Sequence, residues 1–156
     1  MRRVGHAAFY NCEALTDAVF GKDLEKIGGF AFYKCTSLRR IAIPLNHSLI
    51  VEDSAFLSCE SLSRVDVIGG IHRTISSLHM ESWRDEMKEE IERINQTLPD
   101  TRSAEKTATI QQWIRSVLDR MDHYKTEHKV LVKEAMALLE LALWKTKLLD
   151  EEGMQC

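Results

Sequence analysis

The first half of the chain repeats one pattern three times, and this repetition limits the possible folds more than any other feature. The copies start at Val4, Ile27 and Val51, which gives a period of 23 residues and then 24. Seven columns agree across the three copies: Val4, Ile27 and Val51; Ala8, Ala31 and Ala55; Phe9, Phe32 and Phe56; Cys12, Cys35 and Cys59; Leu15, Leu38 and Leu62; Ala18, Ile41 and Val65; Phe20, Ile43 and Val67. Agreement in so many columns indicates an architecture in which each copy forms one structural unit.

A period of roughly 20–29 residues with the pattern Leu-x-x-apolar-x-apolar is the signature of a leucine-rich repeat. In the second copy, Leu38, Ile41 and Ile43 predict a short strand whose apolar side chains point inward. Arg40 and Ala42 alternate with them and are predicted to point outward. The Ala-Phe-x-x-Cys segment is predicted to be a turn or short helix that returns the chain. Because one unit cannot bury its own apolar residues, we expect the copies to stack on one another.

The repeats resemble the BspA-like subfamily of leucine-rich repeats. The second copy, which reads IGGFAFYKCTSLRRIAIP at 27–44, is a near-complete match to the repeat of that family. The third copy is close, with VEDSAFLSCESLSRVDV at 51–67, and the first matches with VGHAAFYNCEALTDAVF at 4–20. The resemblance covers residues 4 to about 68. It implies a curved solenoid that recognises proteins or surfaces, generally without catalysis.

The outward strand positions are the candidate partner-binding residues. They form two columns that are predicted to be exposed: Asp17, Arg40 and Arg64, and then Val19, Ala42 and Asp66. Stacked repeats create extended binding surfaces, which favours a recognition role for this face. The alternative interpretation is that these are only solvated strand side chains. Arg40 and Arg64 would suit an acidic segment of a partner protein.

The first copy of the array is expected to present an apolar end. It starts at residue 4, whereas terminal repeats normally carry a polar outer face. Val4, Phe9 and Leu15 would lie at this end. We therefore expect either that the chain is part of a longer array or that a partner covers the first repeat.

The cysteines follow the repeat. Cys12, Cys35 and Cys59 are separated by the repeat period and not by a zinc-binding C-x-x-C spacing. The preferred interpretation is a column of buried thiols that act as small apolar side chains. A metal or redox site is the alternative, and no second feature supports it. Cys156 is predicted to be exposed and able to form adventitious dimers.

After Gly69 and Gly70 the periodicity becomes helical, which predicts two domains, leucine-rich repeats at 1–70 and an α-helical segment at 71–156. We expect helices at about 71–98, 105–123 and 127–150. From Ile110 to Leu149 apolar residues recur at alternating steps of four and three, and no Gly or Pro lies between 104 and 152. This stripe fits one continuous helix or two. We favour two helices, or one bent helix, with a break in the polar segment DHYKTEH at 122–128.

The apolar face formed by this stripe from Ile110 to Leu149 is wide, because further apolar residues flank it: Leu118, Val132, Leu139, Leu141 and Leu148. A face of this width packs on more than one neighbour. We expect these neighbours to be the helix at 71–98 and the last repeat, so that the helical part caps the array and also offers a coiled-coil surface. This part resembles the helical tail that follows BspA-like repeats in predicted microalgal proteins, on the segments at 81–99 and 110–145. That resemblance implies an architecture and no activity.

Few residues suit catalysis or metal binding. His123 and His128 are five residues apart and His72 and His79 seven, so neither pair has the spacing of a metal-binding helix. The acidic run at 89–92 lies opposite an apolar stripe and predicts a solvated helix face. Phosphate-binding, dinucleotide-binding and nucleophile-elbow motifs are absent from the sequence. We predict a protein that is not an enzyme, with no catalytic residue, no metal site and no cofactor.

The charge balance argues against nucleic acid as a partner. The chain has 21 basic and 24 acidic residues, for a net charge of −3, and neither half is strongly charged. No uncharged apolar run approaches the ~20 residues of a membrane span. The two N-terminal arginines are not followed by the apolar stretch of a secretory signal. We expect a cytoplasmic protein that binds neither nucleic acid nor a membrane.

The sequence therefore predicts an α+β protein: a short leucine-rich-repeat solenoid of about three repeats, followed by an α-helical hairpin or bundle. The expected function is protein–protein recognition or scaffolding through the strand face, with a partner of unknown identity. The alternative is an oligomerisation module. In that case a homo-oligomer forms through the C-terminal helices or the uncapped first repeat.

Overall fold

The structure, a computed structural model, describes residues 1–68 and 80–154. Its first part contains six short strands: β1 (Arg3–Val4), β2 (Asp17–Val19), β3 (Lys26–Ile27), β4 (Arg40–Pro44), β5 (Ile50–Val51) and β6 (Arg64–Ile68). Alternate strands pair in parallel, which gives one sheet in the order β1-β3-β5 and a second in the order β2-β4-β6. Each copy of the repeat therefore contributes one strand to each sheet.

The pairing register of the strands is the register of the sequence columns. Ala18 faces Ile41, and Ile41 faces Val65. A shift of one residue would turn these apolar side chains to the opposite side of the sheet, so burial fixes the register. Ile41 and Ile43 are completely buried, as predicted.

The segments that return the chain between strands are turns and not helices. Two columns of non-glycine residues adopt positive φ, between 53° and 63°, in each copy: Ala7, Phe30 and Ser54, and then Asn11, Lys34 and Ser58. The turns are hydrogen-bonded from copy to copy. Phe9 N donates to Ala31 O (2.7 Å), and Phe32 N donates to Ala55 O (2.8 Å). The turns therefore stack in the same way as the strands.

Aromatic rings and thiols fill the space between the copies. The ring of Phe32 lies nearly parallel to Phe9 on one side and Phe56 on the other, with centroids 5.1 and 5.4 Å apart. The thiols of Cys35 and Cys59 donate to the carbonyl oxygens of Phe9 and Phe32, at 3.1 and 3.0 Å. Both thiols are completely buried, and burial raises their pKa, to about 12 for Cys59. The prediction of buried structural thiols is confirmed for these two cysteines.

The first copy is covered less than the other two. Val4 is buried, but Phe9, Cys12 and Leu15 are only half-buried, whereas the corresponding residues of the second and third copies are completely covered. The predicted apolar end is therefore correct for Phe9 and Leu15 and wrong for Val4. Val4 is covered because its side chain belongs to the apolar core together with Ile27, its partner in register on β3.

The described residues that follow the strands form two helices. The first, α1, spans Met80–Thr97, a 3₁₀ turn at Leu98–Asp100 ends it, and the second, α2, spans Lys106–Met154. The predicted beginning of the first helix near residue 71 lies outside the described residues, and so does the predicted domain boundary at residue 70. The structure therefore does not test either prediction.

The two-helix form, with a break near residues 123–127, is wrong, because α2 is one continuous helix of 49 residues, which was the alternative. The polar residues in that segment are satisfied on the helix surface. Thr126 Oγ1 donates to Asp122 O (2.9 Å), and His123 Nε2 lies 3.1 Å from Glu127 Oε1. Since neither Gly nor Pro interrupts the segment, polarity alone does not end the helix.

The apolar stripe of α2 is buried only over its first half. Five of its residues are covered by α1 and the repeats: Ile110, Ile114, Val117, Met121 and Tyr124. Large apolar side chains are exposed in the second half: Val130, Leu131, Met136, Leu138, Leu139, Leu141, Leu143, Trp144, Leu148 and Leu149. The predicted packing of Leu139, Leu141 and Leu148 on the first helix and last repeat is wrong. At about 1.5 Å per residue, α2 is far longer than the 18-residue α1 and extends beyond it.

Side chains of the helices complete the backbone hydrogen bonds of the third copy. Phe56 N donates to Thr107 Oγ1 (3.0 Å), at the place where Phe32 N donates to the carbonyl of the following copy. Val65 N, in the edge strand β6, donates to Asn95 Oδ1 (2.8 Å). The helices thus supply the acceptors that a fourth copy would supply.

Two further side chains supply donors to the same end of the array. The buried ammonium of Lys106 donates to Glu60 O (3.0 Å) and Leu62 O (2.5 Å), and burial lowers the pKa of this lysine. Gln111 Nε2 donates to Val51 O (2.6 Å) in the edge strand β5. Because exposed strand edges are templates for unwanted pairing, these contacts protect the last copy.

A buried carboxylate joins the two helices. Glu90 is 2% exposed, accepts a hydrogen bond from Arg93 Nη1 (3.0 Å) and forms an ion pair with Arg120, whose Nη1 lies 2.9 Å from Glu90 Oε1. The prediction of a solvated acidic face at 89–92 is therefore correct for Glu89 and Glu92 and wrong for Glu90. Two arginines compensate the burial of this charge, which would otherwise be costly.

Candidate functional site

The face of the β2-β4-β6 sheet carries the six predicted partner-binding residues. The register places them in two adjacent rows across the strands: Asp17, Arg40 and Arg64, and then Val19, Ala42 and Asp66. Residues two apart on a strand point to the same side of a sheet. All six residues therefore lie on one face of the sheet.

A series of ion pairs crosses the three strands of this face. Asp66 accepts hydrogen bonds from Arg40 Nε and from Arg64 Nε, the latter at 3.1 Å. Arg40 Nη1 lies 3.8 Å from Asp17 Oδ1 on the first strand. Arg40 and Arg64 are direct neighbours in register, and their like charges are tolerated because Asp66 accepts from both. The four charged residues thus form an ordered ladder and not four independent solvated side chains.

The titration behaviour of the ladder agrees with this pairing. Partial burial would raise the pKa of Asp66, but the hydrogen bonds from Arg40 and Arg64 outweigh burial, so the pKa is lowered. The hydrogen bond to Asp66 raises the pKa of Arg40. Asp66 and Arg40 are therefore both charged at neutral pH, and the face carries acidic and basic groups side by side rather than a basic patch.

The six residues differ in how far they are exposed. Val19 is 65% exposed, and the side chains of Arg64 and Asp17 are 63% and 52% exposed. Ala42 is only 3% exposed, so the prediction that it lies in an exposed column is wrong. Its methyl group lies on the central strand between Val19 and Asp66, whose longer side chains flank it. A partner can therefore contact Val19, Asp17 and Arg64 most fully.

The opposite sheet carries a second ionic contact that the sequence reasoning missed. Lys26 Nζ lies 2.5 Å from Glu52 Oε1, and Gly29 N donates to Glu52 Oε2 (2.8 Å). The hydrogen bond from Lys26, and to a smaller extent the one from Gly29 N, lower the pKa of the Glu52 carboxyl. The aligned repeats contain a signal for this contact. Lys26 comes directly before Ile27 and Glu52 directly after Val51, and Ile27 and Val51 are neighbours in the first column.

The sequence analysis also did not identify the four helix side chains that bond to backbone groups of the third copy and so cap the array: Asn95, Lys106, Thr107 and Gln111. Thr107 and Gln111 are four residues apart and share a face of α2 with Ile110 and Ile114, where a simple stripe would be apolar. Polar residues within an apolar face need specific partners when they are buried. This interruption was the available signal for a cap, although it does not identify the backbone groups that are bonded.

The described residues offer no arrangement suited to metal binding. In 1–68 and 80–154, no three His, Cys, Asp or Glu side chains are placed to hold a metal ion together. His47 Nε2 lies 2.8 Å from Asp122 Oδ1 on α2, and His123 pairs with Glu127. His72 and His79 lie outside the described residues, and the side chain of His128 does too. No helix within the described ranges combines the length and the apolar character needed to cross a membrane.

Comparison with known proteins agrees with the stacked geometry. No curated protein and no solved structure matches the chain. The family profile described as BspA type Leucine rich repeat region (6 copies) matches residues 1–95, which extends past the repeats into α1. Its six copies differ from the predicted count of about three, and the described residues form three strands in each sheet. With parallel strands, stacked turns and this match over more than half of its length, the chain belongs to the BspA-type leucine-rich repeat family.

Proposed function

We propose that the protein is a recognition module that binds a protein partner with the face of the β2-β4-β6 sheet. Leucine-rich repeat families generally mediate protein–protein interaction and are typically not enzymes. The observation that carries the proposal is the combination of exposed Val19 with the ion-pair ladder from Asp17 to Arg64. An apolar side chain beside ordered charges gives a partner both contact area and orientation.

The ladder also makes the face rigid. Arg40 and Asp66 are tied to their neighbours by hydrogen bonds, so they lose little further freedom when a partner binds. Lower ordering cost leaves more of the contact energy as affinity. The complementary partner is a segment with an apolar side chain over Val19, an acidic group near Arg64 and a basic group near Asp17.

The test is selection of a displayed peptide library on the full chain, followed by affinity measurement on variants. Val19→Asp is expected to weaken the selected peptides at least tenfold, since central apolar contacts dominate interfaces. Ile50→Asp is the matched control. Ile50 is an exposed aliphatic residue in a short edge strand, like Val19, but it belongs to the other sheet.

Charge reversal tests the orientation of the partner. Arg64→Glu is expected to weaken acidic peptides and not basic ones. Two results would show that the β2-β4-β6 face is not the binding surface. In one, Ile50→Asp weakens the selected peptides as much as Val19→Asp does. In the other, the peptides bind Val19→Asp as tightly as they bind the unchanged chain.

We further propose that the protein acts in the cytoplasm, with neither nucleic acid nor a membrane as its partner. Cys35 and Cys59 are free, buried thiols, which is the usual state of cysteine in a reducing compartment. The mixed charge of the strand face supports a protein partner over nucleic acid, because adjacent acids cancel a basic patch. Localisation of a tagged full chain by microscopy tests the compartment.

A second candidate function is assembly through α2. The observation that favours it is the exposure of ten large apolar side chains between Val130 and Leu149. Contiguous apolar surface of this kind marks an interaction site in a folded protein. Recognition by the strand face and assembly by the helix use separate surfaces and do not exclude one another.

A further inference from the structure

We propose that residues 130–150 of α2, called here the distal segment, pair in antiparallel orientation with the same segment of a second copy of the chain. This inference rests on the proposed assembly function and adds the partner, the orientation and the register. The pairing forms a two-stranded coiled coil with its centre at Glu140.

The exposed apolar surface is of the size that a dimer needs. Ten large apolar side chains of the distal segment are 38% to 68% exposed. A fully buried side chain of this kind removes roughly 60–120 Å² of apolar surface, from its transfer free energy at about 25 cal/mol/Å². The pairing face is lined by six of them, Leu131, Leu138, Leu139, Leu141, Leu148 and Leu149, which together expose on the order of 300 Å², and Val132, Ala135 and Ala142 add to the same face. A standard interface buries about 800 Å² per partner, of which a little over half is apolar.

The distal segment has a heptad register because α2 runs through it without a break. Alternating steps of three and four place Leu131, Leu138 and Lys145 at position d, and Ala135, Ala142 and Leu149 at position a. Positions e and g next to this seam carry further leucines: Leu139, Leu141 and Leu148. Lys133, Glu140 and Lys147 fall at position f, on the side away from the seam.

Lys145 selects the antiparallel orientation. In a parallel pair, equal positions meet, so Lys145 would face Lys145 of the second copy inside the apolar seam. Two ammonium groups buried together repel and lose hydration. In a parallel pair, Ala135 would also face Ala135 of the second copy, and Ala142 would face Ala142. These layers of the seam would then be poorly filled next to the leucine layers.

In the antiparallel pair, residues whose numbers add to 280 lie at the same height. Leu131 then meets Leu149 of the second copy, and Leu138 meets Ala142 of the second copy, so that neither alanine of the seam lies opposite another alanine. Lys145 meets Ala135 of the second copy and lies next to its Glu134. By symmetry this ion pair forms twice.

Charge and length are compatible with this arrangement. The distal segment carries three basic and three acidic residues, so two copies do not repel: Lys133, Lys145 and Lys147, and Glu134, Glu140 and Asp150. The last buried residue of the first half of α2 is Tyr124. In this register it lies beyond Met154 of the second copy, the last described residue of α2. The two repeat arrays therefore lie at opposite ends of the dimer.

The first experiment is the solution mass of the full chain over a concentration series, with Cys156→Ser to exclude terminal disulfides. We expect the mass to rise from 17.9 kDa at concentrations well below 1 µM to about twice that value near 100 µM, where a dimer with a Kd near 1 µM is largely formed. The double substitution Leu138→Glu and Leu141→Glu is expected to weaken the dimer at least a hundredfold. Glu140→Lys, at position f, is the matched charge control and retains the dimer. The circular dichroism of both variants reports whether the fold is intact.

The second experiment tests the orientation. Lys145→Glu or Glu134→Lys alone should weaken the dimer roughly tenfold, since two symmetric pairs of modest strength are lost, and the two together should restore it. Mixing chains with Leu131→Cys and Leu149→Cys, both lacking Cys12 and Cys156, should give a mixed disulfide and no Leu131→Cys homodimer.

The outcomes separate the two proposals. A monomer at all concentrations would overturn both the assembly function and the antiparallel pair. A dimer in which Leu131→Cys forms a disulfide with itself would leave the assembly function and overturn the antiparallel register. A dimer insensitive to Leu138→Glu with Leu141→Glu would show that the second copy binds elsewhere.

Discussion

The two halves of α2 have the same periodicity and different surroundings. In the first half the apolar stripe lies against α1 and the last repeat, and in the second half the stripe continues into solvent. Leu118 and Leu139 show the difference most directly. They occupy equivalent heptad positions three heptads apart, yet Leu118 is 8% exposed and Leu139 is 61% exposed.

The halves differ in their polar residues more than in their apolar ones. In the first half, Thr107 and Gln111 bond to backbone groups of the repeats, and Trp113 Nε1 donates to Glu90 O on α1 (3.1 Å). In the second half, Thr146 bonds to Ala142 O of its own helix (3.0 Å). Periodicity therefore predicts that a helix has an apolar face. Polar side chains with fixed partners show which part of that face belongs to the fold of the chain itself.

The largest expected effect comes from truncating the matched leucines. Leu118→Ala should lower the free energy of unfolding by about 2–5 kcal/mol, because it leaves a cavity between α2 and the repeats. Leu139→Ala should change the free energy of unfolding of the monomer by less than about 0.5 kcal/mol. Urea denaturation followed by circular dichroism measures both.

The measurement is made at a concentration below that at which the chain self-associates, so that dimer formation does not stabilise Leu139. A loss at Leu139→Ala as large as that at Leu118→Ala would contradict the comparison. It would mean that the second half of α2 packs against its own chain.

A smaller effect is expected from the two matched threonines. Thr107→Val removes the acceptor of Phe56 N and should cost about 1–3 kcal/mol, since a buried N–H is left without a partner. Thr146→Val removes only a bond to its own helix and should be close to neutral. Equal stabilities of the two variants would contradict a capping role for Thr107. Thermal unfolding of each variant at the same concentration gives the comparison.

Tyr124 lies at the point where burial ends, and its titration should mark that boundary. Burial first, and then the hydrogen bond to Glu86, raise the pKa of Tyr124 from 10.0 to about 12. The folded pKa is above the unfolded one, so the contribution is complete below pH 10 and is lost as the pH rises towards 12. Between pH 10 and 12 the free energy of unfolding should therefore decrease less steeply with pH in Tyr124→Phe than in the unchanged chain. A slope identical to that of the unchanged chain would place Tyr124 in solvent.

The repeats were largely predictable from sequence because each column recurs three times. Ile41 and Ile43 follow from strand alternation, and the thiols of Cys35 and Cys59 follow from their column. Ala42 was misjudged because alternation gives the direction of a side chain and not the size of its neighbours. The ion-pair ladder also could not be predicted, since the bond from Arg40 to Asp66 joins different rows of adjacent strands.

The helical half was less predictable because its contacts are not repeated. The sequence from 122 to 128 is polar, but polarity on the solvent side of a helix carries no signal for a break. The burial of Glu90 depends on Arg120, which comes from the other helix, and no spacing in the sequence relates them. The coverage of α2 depends on the lengths of α1 and of the array, and the periodicity of α2 contains neither.

The smallest effect on stability should come from Trp144→Phe, and the emission of the tryptophans gives the most direct view of the two halves. Trp113 is 6% exposed and Trp144 is 67% exposed. The measurement uses a chain in which the third tryptophan, Trp83, is replaced by Phe. Acrylamide should quench the emission of Trp144 strongly and that of Trp113 weakly, so Trp144→Phe should remove much of the quenchable emission while Trp113→Phe leaves it. Trp144 falls at heptad position c, outside the seam at positions a and d, so this contrast should persist in the antiparallel dimer. If Trp144 instead becomes protected as the chain concentration rises, the second copy covers a wider part of the helix than a two-stranded coiled coil does, and the interface has more than two helices.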